Sequence, residues 1–232
     1  MSPAVYDRIG KGYAAHRRPD SRIAARIDAA LGGARRVVNV GAGTGSYEPD
    51  GAIAVEPSRT MIDQRTTTNV VVQGVAEALP FADDAFDASL AVITVHHWPD
   101  LQAGLAELRR VARRQVIVTF DRAVHDRHWI FDYVPVPDAL PPIDALGLST
   151  IDVVEVPHDC TDRFLVAPWR RPDAYLDPSA RAAMSGLALL PEGVLDDAMD
   201  RLAADLRTGA WARRYGHLLA LDTHDVGLRI LS

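Results

Sequence analysis

Val37-Val38-Asn39-Val40 runs directly into Gly41-Ala42-Gly43-Thr44-Gly45. Glycines at alternate positions admit positive φ and let backbone approach a ligand closely. The residues that follow such a turn offer N–H groups to a polar ligand, although a bare glycine turn serves equally as a ligand-free connection. Glu56 closes the next apolar run, Ala52-Ile53-Ala54-Val55. In a doubly wound sheet it stands beside the glycine turn at the carboxyl edge, where a carboxylate accepts from the vicinal hydroxyls of a ribose; the alternative is a solvated strand-end acid. The spacing is G-x-G-x-G rather than G-x-G-x-x-G, which argues against a nicotinamide or flavin dinucleotide. Ala76 and Glu77, in Gly74-Val75-Ala76-Glu77-Ala78-Leu79-Pro80-Phe81, fall where an adenine ring would pack. His96-His97-Trp98 ends another apolar run. A neutral imidazole there is a general base near neutral pH, with a rate limb through roughly pH 6–7. His97 is preferred over His96, and the alternative for both is a packed, hydrogen-bonded pair.

These residues need elements to position them. Ile23, Ile27, Ala30 and Leu31 share a helical face, with Asp20 or Ser21 as cap and Gly32-Gly33 as stop. Short β-branched runs at 37–40, 52–55, 70–72, 88–93 and 116–120 read as strands buried on both faces. Helical stretches at 58–65 and 101–113 lie between them, which implies a parallel sheet covered on both sides. Further on, 152–156 reads as a sixth strand and 226–231 as a closing one. The spacing predicts helices over 173–184 and 191–206. The expected division is a core of residues 1–160 and 224–232, with 161–223 as a helical cap inserted between strands six and seven. Within the cap, Trp169, Arg170 and Tyr175 combine aromatic surface with a cation, suited to an aromatic or carboxylate-bearing small molecule; Trp98 joins them as a substrate candidate. Ordinary packing is the alternative for all four. Asp159, Cys160, Asp162 and Arg163 stand at the cap entry.

Composition narrows the classes. With 232 residues, 48% hydrophobic and 24% charged, the chain is an ordinary globule, long enough to bury a core without disulfides or metals. No apolar run approaches the ~20 residues of a membrane span, and Met1–Asp7 lacks the apolar stretch of a secretory signal. The single cysteine, Cys160, points to a reducing cytoplasm. The net charge of −6 disfavours a nucleic-acid backbone as partner. His125-x-x-His128 has helical spacing, but the pattern supplies no acidic or cysteine partner, so no metal site is assigned. The oligomeric state is not readable.

Taken in order, strand–GxGxG, an acid ending strand two, A-E-x-L-P-F and F-D before strand four resemble the small class I S-adenosylmethionine-dependent methyltransferases, in particular the bacterial group containing ubiquinone/menaquinone-type and trans-aconitate-type enzymes. The resemblance covers residues 5–120 well and the rest in outline. It implies an α/β fold with a doubly wound, mostly parallel seven-stranded Rossmann-like sheet, and S-adenosylmethionine as cofactor. It implies that Gly41, Ala42, Gly43 and Gly45 line the methionine and ribose, and that Glu56 binds the ribose hydroxyls. Pro57 and Met61 would then pack near the adenine, Ala76 and Glu77 at its edge, and Val95 near the methionyl group. Tyr13-Ala14-Ala15-His16-Arg17-Arg18 is similar to the family's Y-x-x-x-R segment, with Tyr13 packing on the cofactor and Arg17 pairing with its carboxylate. Asn39 stands where the family usually has an aspartate, and Val75 where many relatives have another. The expected activity is methyl transfer to a small molecule, at an undetermined O, N or C. The competing expectations are a protein that binds S-adenosylmethionine or S-adenosylhomocysteine without methylating, and an RNA methyltransferase. The net charge and the absence of an N/D-P-P-Y/F-type motif disfavour the latter.

Overall fold

Successive side chains of a strand point to opposite faces, and the apolar runs sort accordingly. Val37, Leu90, Val116 and Val118 join one buried cluster, while Val38, Val40, Ala91 and Ile117 join another. In the computed structural model, which describes residues 6, 7, 13, 17–137 and 140–232, these clusters lie on the two sides of a seven-stranded sheet of order β3-β2-β1-β4-β5-β9-β6. The strands are β1 Val37–Val40, β2 Ile53–Glu56, β3 Val71–Gln73, β4 Phe86–Val92, β5 Ala112–Phe120, β6 Ile151–Val153 and β9 Leu228–Leu231. Strands β1 to β5 pair in parallel, and β9 runs antiparallel to both β5 and β6. The doubly wound, mostly parallel α/β fold is therefore the observed one.

Helix Ser21–Leu31 presses Ile23, Ile27 and Leu31 onto the first face; Asp20 caps it by accepting from Arg22 N, and Gly32 ends it at φ 62°. Helix Leu101–Val111 presses Leu105, Leu108 and Val111 onto the second. Strand order reverses direction at β1 and β4, so their carboxyl ends splay connections to opposite sides and leave a crevice between them.

The sequence expectations for the second half change in detail. The strand expected at 152–156 is two pieces. After β6 the chain leaves the sheet, and β7 Val156–Pro157 pairs with β8 Thr223–His224 in a separate ribbon. Pro157 lacks the N–H that a longer ladder would need. The helix expected over 173–184 is a 3-10 turn at Pro172–Leu176 followed by a short helix at Pro178–Ala182. Pro178 cannot donate backward and starts a new helix instead, with Asp177 capping Ser179 N. The long helix is Glu192–Thr208, ended by Gly209 at φ 71°.

The block 161–223 shares a buried apolar cluster with the first face of the sheet. Phe164, Trp169, Tyr175, Met184, Leu202 and Trp211 belong to the same apolar cluster as Ile27, Leu90 and Val118. Trp129, from the segment after β5, stacks edge-on against both Tyr175 and Trp211. A chain lacking 161–223 should therefore lose cooperative folding rather than merely a lid, since it would uncover the part of the first-face cluster that helix Ser21–Leu31 does not reach. Near-UV circular dichroism and thermal melting of the deletion variant test this. A sharp melt in that variant would show a detachable cap.

Candidate active site

The crevice at the carboxyl ends of β1, β2 and β4 is a partly open cleft, at the edge where open α/β sheets bind their ligands. Its floor is the glycine turn. Gly41 has φ 69°, and a Cβ there would lie 2.1 Å from Thr94 Oγ1, so only glycine lets β1 and β4 approach this closely. Gly41 N and Ala42 N both donate to Val55 O, at 2.9 and 3.1 Å. Glu56 is 4% exposed. Its Oε2 accepts from Gly43 N and its Oε1 from Ser58 N, each at 2.8 Å. Burial raises its pKa, and those two N–H groups oppose the rise. The turn and the acid are thus one hydrogen-bonded unit.

Beneath it lies a buried polar network. Glu48 pairs with Arg65, with both side chains almost fully enclosed. Arg65 Nη1 donates to Gly43 O at 3.1 Å, and Asn39 Nδ2 donates to Glu48 Oε2 at 2.9 Å. Because a carboxylate only accepts, Glu48 dictates which end of the Asn39 amide faces it. The other end, Oδ1, belongs to a residue lining the cleft and has no hydrogen-bond partner.

Tyr13, Arg17, Gly41, Ala42, Gly43, Glu56, Pro57, Ala76, Glu77, His97 and Trp98 all line this cleft. Glu77 Oε1 also accepts from Asp100 N at 3.2 Å. Met61 lies beneath the turn, with Cε 3.3 Å from where a Gly43 Cβ would be. Gly45, at φ 94°, turns toward Thr67 instead of the cleft. The Val95 side chain is 1% exposed in the second core cluster, which leaves only its backbone, the part expected near the methionyl group, to face the site. The three residues proposed from the helical block do not line this cleft. Trp169 is fully buried, with its indole N–H bonded to Val156 O at 3.0 Å. Tyr175 is fully buried, with its hydroxyl on Leu165 O at 2.6 Å. Arg170 donates to Leu221 O at 2.8 Å. Large aromatics with one satisfied polar atom are core formers here.

Arg17 is also placed differently from the expectation that it meets a cofactor carboxylate. Its Nε and Nη2 grip Asp162 Oδ1 and Oδ2 at 2.6 and 3.2 Å, and Nη1 meets the Tyr13 hydroxyl. Ala14, Ala15 and His16 of that segment lie outside the described residues. Sequence reasoning passed over Tyr6, whose hydroxyl is 3.0 Å from His97 Nε2, and Ile93, both of which line the cleft; Asp162, noted in sequence only at the cap entry, holds Arg17 without lining the cleft. Ile93 has φ 50°, a strained conformation for a β-branched residue.

A second, partly open cavity adjoins the cleft; both are lined by Arg17, Ile93 and His97. Its remaining wall is mostly apolar, with Phe120, Leu140, Phe164, Met184 and Leu189, plus His96 and His125. Nothing in the local sequence pattern signals it, because the wall converges from segments far apart in the chain. Among the described residues, no group of three or more His, Cys, Asp or Glu side chains could hold a metal ion, and no helix is long and apolar enough to cross a membrane.

Two measurements follow from this geometry. Gly41→Ala combines a positive φ with a clash on Thr94, and should cost roughly 1–3 kcal/mol or more in urea denaturation. Unchanged stability would mean that β4 simply moves aside. For His97, burial first and Arg17 second lower its pKa to about 4, from 6.5 in the unfolded chain. Between those values the unfolded chain binds the extra proton. Stability is therefore complete above the upper value and falls as pH drops toward the lower, by up to about 1.4 kcal/mol per pH unit. His97→Gln should remove that increment of slope from urea midpoints taken between about pH 7 and 4. Parallel slopes in the two proteins would refute the shift. The rate limb expected near pH 6–7 for an ordinary imidazole moves down with the pKa.

Comparison with known proteins places this geometry in a family. A family model for a methyltransferase domain matches residues 38–120. The chain is 29% identical over 108 residues to 2-methyl-6-phytyl-1,4-hydroquinone methyltransferase 2 of Oryza sativa subsp. japonica, covering 41% of this chain and 31% of that protein. It is 33% identical over 106 residues to a demethylmenaquinone methyltransferase of Roseiflexus sp., covering 40% and 44%. The matched stretch thus spans less than half of either relative. Among solved structures, the [4+2]-cyclase SpnF shares the fold alone, at TM-score 0.50 and 16% identity over 97% of this chain and 92% of that one. A protein of Anabaena variabilis described as a methyltransferase from an antibiotic biosynthesis pathway matches over the whole length, with 31% identity, TM-score 0.86, and coverage of 93% of this chain and 98% of that one. On that full-length likeness, with the nucleotide-type cleft at its sheet edge, the chain belongs to the class I S-adenosylmethionine-dependent methyltransferases.

Proposed function

We propose that the protein transfers a methyl group from S-adenosylmethionine to a small molecule held in the second cavity. The observation that carries this reading is the junction: Arg17, Ile93 and His97 line both cavities, so a donor in one meets an acceptor in the other. The cleft suits the cofactor. Asn39 Oδ1 is an orphaned acceptor, suited to the cofactor's ammonium group, and Gly41 lets the turn pass close to Thr94 at the cleft floor. Glu56 keeps lone pairs for the ribose hydroxyls while two N–H groups hold its carboxylate in place. Ala76 and Glu77 stand at the adenine edge. When bound, the cofactor supplies an electrophilic methyl group on a sulfonium. The chain contributes position and exclusion of water, which account for much of the rate in such in-line transfers.

A small acceptor is favoured over a nucleic acid because the second cavity is walled by apolar side chains and the net charge is −6. Hydroquinone and menaquinone precursors, the substrates named for the curated relatives, are ring molecules that suit such walls. The reading is tested by incubating the protein with labelled S-adenosylmethionine and a panel of small ring compounds, with transfer RNA as the competing acceptor. Formation of S-adenosylhomocysteine with a methylated small molecule supports it. Transfer to RNA, or tight cofactor binding with no methylated product across the panel, favours one of the competing readings. Glu56→Ala should weaken S-adenosylmethionine binding by ~1–3 kcal/mol in calorimetry, because it removes charge-assisted hydrogen bonds from buried hydroxyls. An unchanged affinity in the folded variant would remove Glu56 from the ribose site.

A further inference from the structure

We infer that Gly104 is a positioning residue for the cofactor cleft: it seats the Trp98 indole so that the ring forms the wall at the adenine end. This rests on the reading of the cleft as the S-adenosylmethionine site. Gly104 is buried within helix Leu101–Val111. Glycine inside a helix is less stable than alanine, and Gly104 is not among the glycines with positive φ, so the backbone does not call for it. Space does. A Cβ at 104 would stand 2.5 Å from Trp98 Cε3, 2.9 Å from its Cζ3 and 3.3 Å from the Ala76 Cβ. Carbon atoms settle at ~3.5–4.0 Å, so the indole would have to retreat by about an ångström.

The ring has one direction of retreat. Trp98 N donates to Val95 O at 3.3 Å, closing the 3-10 turn before it. Two residues on, Asp100 N donates to Glu77 Oε1 at 3.2 Å, and Asp100 Oδ1 caps the helix by accepting from Ala103 N at 3.0 Å. The backbone is tied down on both sides of Trp98, so the indole can only swing about its own side-chain bonds. The helix stands behind its benzo edge, and Trp98 lines the cleft. A side chain at 104 therefore drives the ring into the cleft.

The place of the ring says what it touches. Trp98 lines the cofactor cleft and not the second cavity. Through Gly104 it is a close neighbour of Ala76, which marks the adenine end. Val75, Ala76 and Pro99 line the cleft there without a polar side-chain atom, and Glu77 already spends one carboxylate oxygen on Asp100 N. A base at that end is held chiefly by contact area, of which an indole supplies the most per residue. Close-packed walls leave no slack for an ångström of displacement, so the missing side chain at 104 sets the width of the slot that a planar base enters.

The test is calorimetric titration of the full chain with S-adenosylhomocysteine. Gly104→Ala should weaken binding roughly tenfold through the intruding ring, although alanine is the better helix residue. Trp98→Leu, which leaves open space instead, should bind more weakly than the parent. In that background the further change Gly104→Ala should alter affinity by no more than about twofold, because the ring it displaces is gone. The indole 15N–1H signal of Trp98, identified as the one absent from Trp98→Leu, should shift in Gly104→Ala while those of Trp129, Trp169 and Trp211 stay in place. Unchanged affinity in Gly104→Ala or in Trp98→Leu overturns the proposal, as does an equal loss from Gly104→Ala in both backgrounds. If Gly104→Ala alone does not fold, the double variant decides. Folding and binding like Trp98→Leu places the clash on the ring, and failure to fold overturns it. A parent chain that does not bind S-adenosylhomocysteine overturns the cofactor reading itself.

Discussion

Arg17 and Asp162 lie 145 residues apart in the chain and hold the site together twice over. Their backbones form an antiparallel bridge, and their side chains form a two-point ion pair with exposures of 9% and 0%. Two charges enclosed this far lose much solvation. Such a pair adds little net stability, yet removing one partner alone costs ~3–5 kcal/mol because the other is stranded. The consequence is positional. The pair fixes the N-terminal segment bearing Tyr13 against the start of the helical block, on the wall common to both cavities. Because each charge cancels the other, the second cavity is left electrically quiet. A free arginine here would have made it an anion site.

The same junction explains why strain is tolerated at Ile93. Strand β4 must end where the order of strands reverses, and its last backbone N–H is still used: Ile93 N donates to Val118 O at 2.7 Å. The chain then turns at once into the 3-10 helix Val95–His97. Only a positive φ at 93 lets it keep the ladder bond and make the turn, at a cost of order 1–3 kcal/mol. In return the Ile93 side chain stands between the cavities and the two imidazoles follow within one turn. The Gly41–Thr94 approach belongs to the same constraint, since β1 must pass close to this turn.

What was legible in the sequence is what is local. The glycine turn, Glu56 and the buried strands announce themselves through residue type and period, because a parallel strand buried on both faces must read as an unbroken apolar run. Ala76, Glu77 and His97 followed from the order of strands. Asp162 looked like any surface acid, since its partner lies in a segment remote in sequence. The second cavity drew walls from β5, the proline-rich stretch and the helical block, and no period links these. Trp169 and Tyr175 misled for the reverse reason. Side chains attractive for ligand binding are also those with the most apolar surface to bury, and local sequence does not tell the two uses apart. Pro178 was visible, but its effect depended on the chain around it being short of other helix stabilisation.

Asn39 shows how a departure from the family pattern can conserve the physics. The family resemblance leads one to expect an aspartate there, and an amide in its place forfeits a charge beneath the cleft. The charge is supplied by Glu48 instead, buried against Arg65 and accepting from Asn39 Nδ2. An aspartate at 39 would face that carboxylate across the 2.9 Å now spanned by a hydrogen bond, two like charges in an enclosed space. The amide donates to the acid on one side and keeps an acceptor on the other, so the cleft retains an oxygen for a cationic group. The Glu48 carboxylate sits one layer deeper, balanced by Arg65, which also donates to the carbonyl of Gly43. Residue 39 and residue 48 are therefore one functional unit, and neither can be interpreted without the other.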